Sequence, residues 1–244
     1  MAEICKVTAL TEYKHQFYYL NVMITDTIRR IIDIVFSSIA ILFLLPLFLV
    51  ISFLVYMTSP GGVFYFSERV GKNGKIFWLC KFRSMVVNAD KIGSKNVGHT
   101  DMRVTTIGRF LRTTKLDEIP QFFNILLGDI TLVGPRPDIP YYVEQYAHSV
   151  SDLVLSIKPG ITDWASLVNF DQYKKFAQSE NPDHYFETVL RPLKIELQIY
   201  YCNNRSLVSD WYIVFATAMR MIGISLPFPR DITNIVKRMT SENH

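Results

Sequence analysis

A long apolar stretch near the N-terminus sets the strongest limit on how this chain can fold. No charged residue occurs between Ile34 and Ser67, and the part from Ile34 to Met57 is almost entirely Ile, Leu, Val and Phe. By length, this part is sufficient to cross a bilayer as one helix. It starts too late and is too long for a cleavable signal peptide. The sequence therefore predicts a membrane segment.

Pro46 lies near the middle of this stretch, where a proline removes a backbone hydrogen bond and clashes with the preceding turn. Each arm beside it has about 11 or 12 residues, which is about 17 Å of helix against a hydrocarbon core of ~30 Å. Basic residues flank both ends, which places both ends on the cytoplasmic side. These are Arg29, Arg30, Arg69, Lys72 and Lys75. We expect residues 26–60 to form a re-entrant hairpin kinked at Pro46; a single kinked span is the alternative, and a buried core helix is less favoured.

Charge is unevenly distributed, although the net charge is only +4. Residues 69–115 hold eleven Lys or Arg against Asp90 and Asp101, and the balance reverses from 117 to 196. A basic block beside a membrane segment suits anionic lipid headgroups and a phosphorylated substrate. Nucleic acid is the competing partner, but no nucleic-acid-binding motif accompanies the charge, so we expect none. The scattered cysteines and histidines indicate neither a disulfide framework nor a histidine metal site.

Asp117 and Glu118 are adjacent carboxylates between cations, a layout that suits phosphate chemistry. Pro120 suits the first turn of a helix and Gly128 suits its end. The carboxylates would then lie at the helix N-terminus, where free N–H groups and the helix dipole attract anions. Neighbouring helix positions point in different directions, so the two carboxylates should differ in role. On this segment alone, simple helix capping is the alternative.

A small β-ribbon is predicted before this helix. Strand-like residues at 63–66 and 76–82 flank Asn73-Gly74, a strong hairpin-turn signal. Lys81 and Arg83 end the ribbon on one face, where they can meet phosphate oxygens or simply face solvent.

Arg136 lies between Pro135 and Pro137. The prolines bias it toward an extended backbone, and this stiffness suits a bidentate phosphate clamp. A rigid turn with an incidental arginine is the alternative.

Three helices are predicted outside the dyad. The first, Thr106 to Thr114, carries apolar residues on one face and Arg109 and Arg112 near the other, which is typical of an interfacial amphipathic helix. The others span residues 184–201 and 208–224. The last has an apolar stripe of Trp211, Phe215, Met219 and Ile222. Charges within it disfavour a membrane span, so we expect the stripe to pack in the core or lie on the membrane surface.

Five motifs follow one another in a specific order. They are the proline-broken apolar segment, Lys-Phe-Arg-Ser-Met from Lys81, Leu-Asp-Glu-Ile-Pro-Gln-Phe-Phe-Asn from Leu116, Gly-Asp-Ile-Thr-Leu-Val-Gly-Pro-Arg-Pro from Gly128, and Lys-Pro-Gly-Ile-Thr from Lys158. Over roughly residues 27–226 the chain resembles the monotopic phosphoglycosyl transferase family of bacterial sugar transferases, and its length resembles the small members.

The resemblance implies an α+β fold that is mostly helical, with a re-entrant membrane helix hairpin, amphipathic interfacial helices and a small β-ribbon around the active site. The expected divisions are an N-terminal extension (1–25), the hairpin (26–60), the catalytic domain (61–228) and a polar C-terminal tail (229–244).

The resemblance also implies a transferase that moves a sugar 1-phosphate from a UDP-sugar to undecaprenyl phosphate and releases UMP. It would act at the cytoplasmic face of the bacterial inner membrane, among its lipids, and a homodimer is left open. Asp117 would be the nucleophile that carries the phosphosugar, with Glu118 as its partner and Mg²⁺ bound at both. The substrate-binding residues would be Lys81, Arg83, Arg112, Pro135, Arg136 and Pro137. A non-catalytic, membrane-anchored scaffold for glycan assembly is the alternative function.

Three residues depart from the family pattern. Leu45 precedes Pro46 where many members have Ser, Asp163 replaces a usual Gly, and Gln198 stands where Asp is common. The dyad and Pro-Arg-Pro are intact, so these changes bear on sugar recognition more than on the reaction.

Overall fold

A computed structural model of the protein describes residues 2–89, 101–169 and 182–241. The chain is mostly helical with two small sheets, as the sequence predicts. Residues 88–100 are polar and contain glycines, which predicts an exposed loop, and they lie largely outside the described residues. The elements, in chain order, are α1 (Ala2–Thr58), β1 (Phe64–Val70), β2 (Ile76–Phe82), α2 (Thr106–Thr114), α3 (Gln121–Leu127), β3 (Thr131–Val133), α4 (Pro140–Val143), α5 (His148–Val154), β4 (Gly160–Thr162), α6 (164–169), α7 (Pro182–Tyr185), α8 (Arg191–Asn204), α9 (Leu207–Met221) and α10 (Arg230–Ser241).

Helix α1 contains the whole apolar stretch and continues through Pro46 as one helix. Its backbone is helical from Ala2, although residues 1–25 carry no periodic signal in the sequence. The section Val22–Thr58 is the one helix in the described part of the chain that is long and apolar enough to cross a membrane. Only 11% of its most apolar window is buried, so most of its side chains lack protein neighbours. This low burial disfavours the core-helix alternative.

Two hydrophobic clusters build the globular part. The larger one joins β2, α3, β3 and the C-terminal helices, and its fully buried members include Ile125, Ile130, Leu193, Leu197, Ile213 and Ile232. The smaller one joins the second half of α1 to β2 and α2 through Ile51, Val55, Phe82, Leu111 and Ile119. Phe122 on α3 packs against both clusters, so α3 links the apolar helix to the main core.

The predicted ribbon is confirmed as the antiparallel pair of β1 and β2, and its register pairs Lys81 with Tyr65 and Arg69 with Phe77. A 3-10 turn, Lys72–Gly74, joins the strands. The second sheet is a short parallel pair, β3 with β4, in which Val133 is opposite Thr162. It brings the segment that follows Val133 beside the segment that follows Thr162.

The apolar stripe of α9 lies on the surface. Trp211, Phe215 and Ile222 are 51%, 57% and 70% exposed, whereas Ile213 and Ala216 on the opposite face are buried. Of the two places expected for the stripe, the core is therefore excluded and the membrane surface remains. The opposite face packs in the core because it carries Ile213, Ala216 and the buried Asp210, whose hydrogen bonds need protein partners.

Asp210, which disfavoured a membrane span, is buried near the start of α9. It accepts hydrogen bonds from Arg29 Nε at 2.7 Å and from the Tyr201 hydroxyl at 2.7 Å. These bonds tie α9 to the first half of α1 and to α8.

The segment expected as a polar C-terminal tail begins with a helix, α10. Ile232 is fully buried against the main core, and the Tyr200 hydroxyl of α8 donates to Asp231 at 3.1 Å. The apolar face consists of Ile232, Ile235, Val236 and Met239 at helical spacing, a pattern that the polar composition of the segment conceals.

Candidate active site

Asp117 and Glu118 lie in a tight turn between two helices. Helix α2 starts at the N-cap Thr105, whose Oγ1 accepts from Gly108 N at 3.0 Å. It ends at Lys115, which adopts the left-handed conformation at φ 60°. The chain then forms the 3-10 turn Leu116–Glu118. The two carboxylates therefore project from a sharp corner of the chain.

The helix predicted after the dyad is confirmed, with one difference. Pro120 is the N-cap of α3, and Gly128 ends it with φ 90°. The dyad lies before the N-terminus of α3, as expected, but in the 3-10 turn Leu116–Glu118 and not at α-helical positions. Helix α2 packs closely against the residues that follow the ribbon. A Cβ at position 108 would lie 1.9 Å from the carbonyl oxygen of Ser84, so this contact requires the glycine found there. This contact sets the dyad beside the end of β2.

Asp117 is a buried carboxylate, and one of its oxygens accepts no hydrogen bond from the described residues. Its residue is 7% exposed, and its Oδ1 has no hydrogen-bond partner among the described residues. Burial raises the pKa of Asp117 above its ordinary range, and the negative charge of Glu118 adds to this, while Lys81 opposes it. A carboxylate that is short of donors in a low-dielectric site is reactive toward an electrophile or a cation.

Glu118 has the opposite environment. Its Oε1 accepts from Lys81 Nζ at 3.2 Å and also from Arg136 Nη2. Burial disfavours its charge, but the cations Arg136 and Lys81 outweigh burial and hold the pKa of Glu118 well below its usual range. The two carboxylates therefore differ in environment, since Asp117 has an oxygen without a hydrogen-bond donor among the described residues and Glu118 is ion-paired. That they differ in role stays a prediction.

Arg136 is fixed at several atoms. Its Nη1 donates to Ile161 O at 2.8 Å, and its backbone N donates to Asp163 Oδ2 at 3.0 Å. Its carbonyl oxygen accepts from Gln198 Nε2 at 3.1 Å. Both Asp163 and Gln198 are 1% exposed. The stiffness expected from the flanking prolines is therefore reinforced by side chains distant in sequence.

A cavity of about 1460 Å³ opens onto the dyad. Its polar end contains the dyad with Lys81, Arg112 and Arg136, and Arg83 lies along its wall. Arg83 donates to the carbonyl oxygens of Gly62 at 2.9 Å and Phe64 at 3.1 Å. The apolar wall includes Phe36, Leu44, Met85, Val214 and Met221.

Most of the predicted site residues therefore line one cavity. Pro135 and Pro137 do not line it; they border a smaller space behind Arg136.

Sequence reasoning missed three residues near the site. Asp163 and Gln198 bond to the backbone of Arg136, and Arg69 lines the cavity. Asp163 and Gln198 carried a signal as departures from a family pattern. Arg69 was read only as a charge flanking the apolar segment and as one member of the basic block 69–115.

The dyad provides a donor set that suits Mg²⁺. In the described part of the chain no group of three or more His, Cys, Asp or Glu could hold a metal ion. However, Mg²⁺ is commonly bound by one or two carboxylates together with waters and substrate phosphates. Asp117 Oδ1 has no donor, and Glu118 takes both of its bonds at Oε1. These two residues therefore fit such an ion.

Comparison with known proteins adds a family and its relatives. Residues 24–223 match the family described as bacterial sugar transferase. The chain is 38% identical over 192 residues to the UDP-N-acetylgalactosamine-undecaprenyl-phosphate N-acetylgalactosaminephosphotransferase of Aeromonas hydrophila, covering 78% of this chain and 42% of that protein. It is 36% identical over 202 residues to the UDP-glucose:undecaprenyl-phosphate glucose-1-phosphate transferase of Klebsiella pneumoniae, covering 79% and 39%.

A third relative is closer in length. It is the exopolysaccharide production protein ExoY of Sinorhizobium fredii, 31% identical over 204 residues, covering 78% of this chain and 83% of that protein. The chain thus spans about two fifths of the first two relatives and most of the third.

Proposed function

The chain belongs to the bacterial sugar transferase family, and we propose that it transfers a sugar 1-phosphate from a UDP-sugar to undecaprenyl phosphate and releases UMP. The observation that carries the proposal is the buried Oδ1 of Asp117, which has no hydrogen-bond partner among the described residues and lies in a cavity lined by cations. The names of the relatives supply the acceptor and the class of donor. The transfer would be the first membrane step of a surface glycan.

In the first chemical step, a carboxylate oxygen of Asp117 attacks the sugar-linked phosphorus of the donor. A bond forms between that oxygen and phosphorus, the diphosphate bridge breaks, and UMP leaves with the bridging oxygen. In the second step, a phosphate oxygen of undecaprenyl phosphate attacks the same phosphorus and Asp117 leaves. Both attacking groups are already anionic, so neither step needs a strong base.

The cations around Glu118 assist without reacting. Lys81 and Arg136 lie where charge builds up on the phosphoryl oxygens during phosphoryl transfer. Glu118 holds both cations through Oε1 and so keeps them beside Asp117. Its role in the proposal is therefore to orient the positive groups.

Asp117 and Glu118 would hold Mg²⁺ when it is bound. The ion would supply further charge neutralisation at the phosphoryl oxygens.

Contacts of α1 support the re-entrant arrangement. Arg30, before Pro46, donates to the carbonyl oxygens of Ile125 at 2.6 Å and Leu126 at 2.7 Å. Phe48, after Pro46, has its ring 5.8 Å from that of Phe123. The 18 residues from Arg30 to Phe48 would extend about 27 Å in a straight helix.

Helix α3 has seven residues, or about 10 Å of length, yet both arms of α1 reach it. A bend at Pro46 reconciles these contacts, and the basic residues at both ends favour the cytoplasmic face. The dyad would then lie at the membrane surface, where a soluble nucleotide sugar and a lipid phosphate can both arrive.

The direct test of function is UMP release from a panel of UDP-sugars with undecaprenyl phosphate and Mg²⁺. We expect the Asp117→Asn variant to lose this activity and the wild type to show a sugar-phosphate adduct on the Asp117 peptide by mass spectrometry. Asp152→Asn, which changes an exposed carboxylate on α5, is the matched control and should retain activity. An active Asp117→Asn variant would remove the covalent mechanism. Intact glycan output in cells carrying that inactive variant would favour the scaffold alternative.

Topology is tested by labelling single cysteines in a cysteine-free chain. Cysteines at Met23 and Glu68, both exposed, flank the apolar segment. The re-entrant arrangement predicts labelling of both only from the cytoplasmic side, together with a reference cysteine at the exposed Met102. Labelling of Met23→Cys from the opposite side would restore the single span.

A further inference from the structure

Arg69 occupies a position on the ribbon that matches that of Lys81. In the register of β1 and β2, Lys81 is opposite Tyr65 and Arg69 is opposite Phe77. Because side chains alternate along a strand, Lys81 and Arg69 lie on the same face of the ribbon, toward its two ends. Both line the cavity that contains the dyad. The ribbon therefore presents two cations to one site.

A backbone contact sets Arg69 beside the Pro-Arg-Pro segment. Val70 N donates to Asp138 O at 3.0 Å, which joins the end of β1 to the residue following Pro137. Arg69 is close enough to Asp138, Arg136 and Glu118 to interact with them electrostatically. It therefore belongs to the charged end of the cavity, although 67 residues separate it from Arg136 in the chain.

No carboxylate in the described residues pairs with Arg69. The nearest acidic candidate, Asp138, already accepts from Lys194 Nζ and from the Tyr146 hydroxyl at 2.6 Å. Glu118 is held by other cations. The hydrogen bond found for the Arg69 guanidinium is a long one, from Nη1 to Glu68 O at 3.3 Å. Most of its five N–H donors therefore have no acceptor in the part of the chain that the structure describes.

A guanidinium in this position favours an anion from outside the protein. Burial lowers the pKa of Arg69, yet an arginine remains charged in proteins. A bound anion would therefore offset the free-energy cost of removing water from its guanidinium. Arg69, Lys81 and Arg136 together outnumber the dyad carboxylates. This excess suits a multiply charged phosphate group, which arginine can bind through two parallel hydrogen bonds.

We propose that Arg69 is a phosphate-binding residue of this site and holds a phosphoryl group of a substrate opposite Arg136. The inference rests on the proposed transferase function. The phosphoryl group can belong to the nucleotide donor or to the lipid acceptor, since both carry the same chemistry.

The test compares Arg69→Gln with Lys75→Gln. Lys75 is an exposed cation at the turn of the same ribbon and does not line the cavity, so the control removes the same charge outside the site. UMP release is measured while the UDP-sugar and undecaprenyl phosphate are varied separately. We expect Arg69→Gln to lower kcat/KM about 10- to 100-fold for one substrate, as loss of a charge-assisted bond does. The substrate whose KM rises identifies the phosphate. Lys75→Gln should match the wild type.

Binding without turnover gives a second readout. UDP should raise the apparent Tm of the wild type and of Lys75→Gln, because a ligand that binds only the folded state stabilises it. If Arg69 binds the donor phosphates, Arg69→Gln loses this shift; if it binds the lipid phosphate, the shift is kept and the lipid KM rises. Arg69→Lys should restore part of either effect.

Wild-type values of both KM constants in a folded Arg69→Gln variant would overturn the inference. If Arg69→Gln lowers the apparent Tm without ligand, Arg69→Met replaces it, since methionine keeps an apolar stem at this position, and the same outcomes apply. Absence of UMP release by the wild type would instead remove the proposed function. The two failures are therefore distinguishable.

Discussion

Replacing Asp163 with alanine removes the acceptor for three hydrogen bonds in a site closed to solvent. Asp163 Oδ2 accepts from Arg136 N at 3.0 Å, and Oδ1 accepts from Ser166 N at 2.7 Å and Ser166 Oγ at 2.6 Å. Asp163 is 1% exposed, so water cannot easily replace the carboxylate. The bond to Ser166 N also caps the start of α6.

The expected loss of stability follows from these contacts. Loss of a helix N-cap costs typically about 1 kcal/mol. A buried donor left without an acceptor, here Arg136 N, costs about 1–3 kcal/mol. The sum is roughly 2–4 kcal/mol, which at about 2–4 °C per kcal/mol lowers Tm by roughly 5–15 °C. Asp163→Asn should have a smaller effect, since its amide oxygen can still accept one set of bonds.

Activity should fall along with stability, since Arg136 would lose one of its fixed points beside Glu118. A small misplacement of a group in the reacting site can cost on the order of 10²-fold in rate. We expect at least about a tenfold loss of kcat/KM in Asp163→Ala at a temperature where the variant is folded. The assays are thermal unfolding in detergent and UMP release.

Two control variants separate the contributions. Ser166→Ala removes only the hydroxyl bond and should cost about 1 kcal/mol with little change in activity. Asp152→Ala removes an exposed carboxylate and should change neither property. If Asp163→Ala unfolds at the wild-type temperature and retains wild-type kcat/KM, the hydrogen bonds assigned to Asp163 do not hold Arg136 and the reasoning fails.

Three further predictions concern the same site. Because burial raises the pKa of Asp117 above its ordinary 3.8, the ionised carboxylate destabilises the folded state at neutral pH. Asp117→Asn should therefore raise the apparent Tm at pH 7, and this increase should disappear below about pH 4. An unchanged Tm at pH 7 would contradict this. The positive charge of Lys81 lowers the pKa of Asp117, so Lys81→Met should move the acid limb of the pH profile of kcat/KM to higher pH. An unchanged acid limb would show that Lys81 does not lower the pKa of Asp117. Gln198 donates to the carbonyl oxygen of Arg136, while its buried Oε1 has no partner among the described residues. Gln198→Leu should thus change the free energy of unfolding by no more than about 1 kcal/mol and still lower kcat/KM severalfold. Wild-type kinetics would exclude a positioning role.

Local signals predicted the local structure well. The bounds Thr106–Thr114 of α2 agree with the prediction, and the helix predicted at 208–224 is Leu207–Met221. Pro120 and Gly128 limit α3 because one lacks an N–H and the other adopts a positive φ at little cost. Such effects act within a few residues, so a sequence window contains them.

Which face of a helix is buried was harder to predict from the sequence. The stripe of α9 is apolar but exposed, and α10 is polar on average but buries Ile232. An apolar stripe reports that a helix avoids water on one side, and it does not report whether protein or lipid covers that side. The packing partners of both helices come from distant parts of the chain.

The sequence by itself determined a long apolar segment that contains Pro46, the ribbon, the turn that carries Asp117 and Glu118, and the stiff presentation of Arg136. Only the tertiary structure decided that Glu118 is paired with cations while Asp117 Oδ1 has no hydrogen-bond donor among the described residues. It also decided that Asp163 and Gln198 hold Arg136 and that Arg69 faces the cavity. The reason is that propensities and turn chemistry depend on neighbours in the chain, whereas desolvation and ion pairing depend on residues that meet only when the chain has folded.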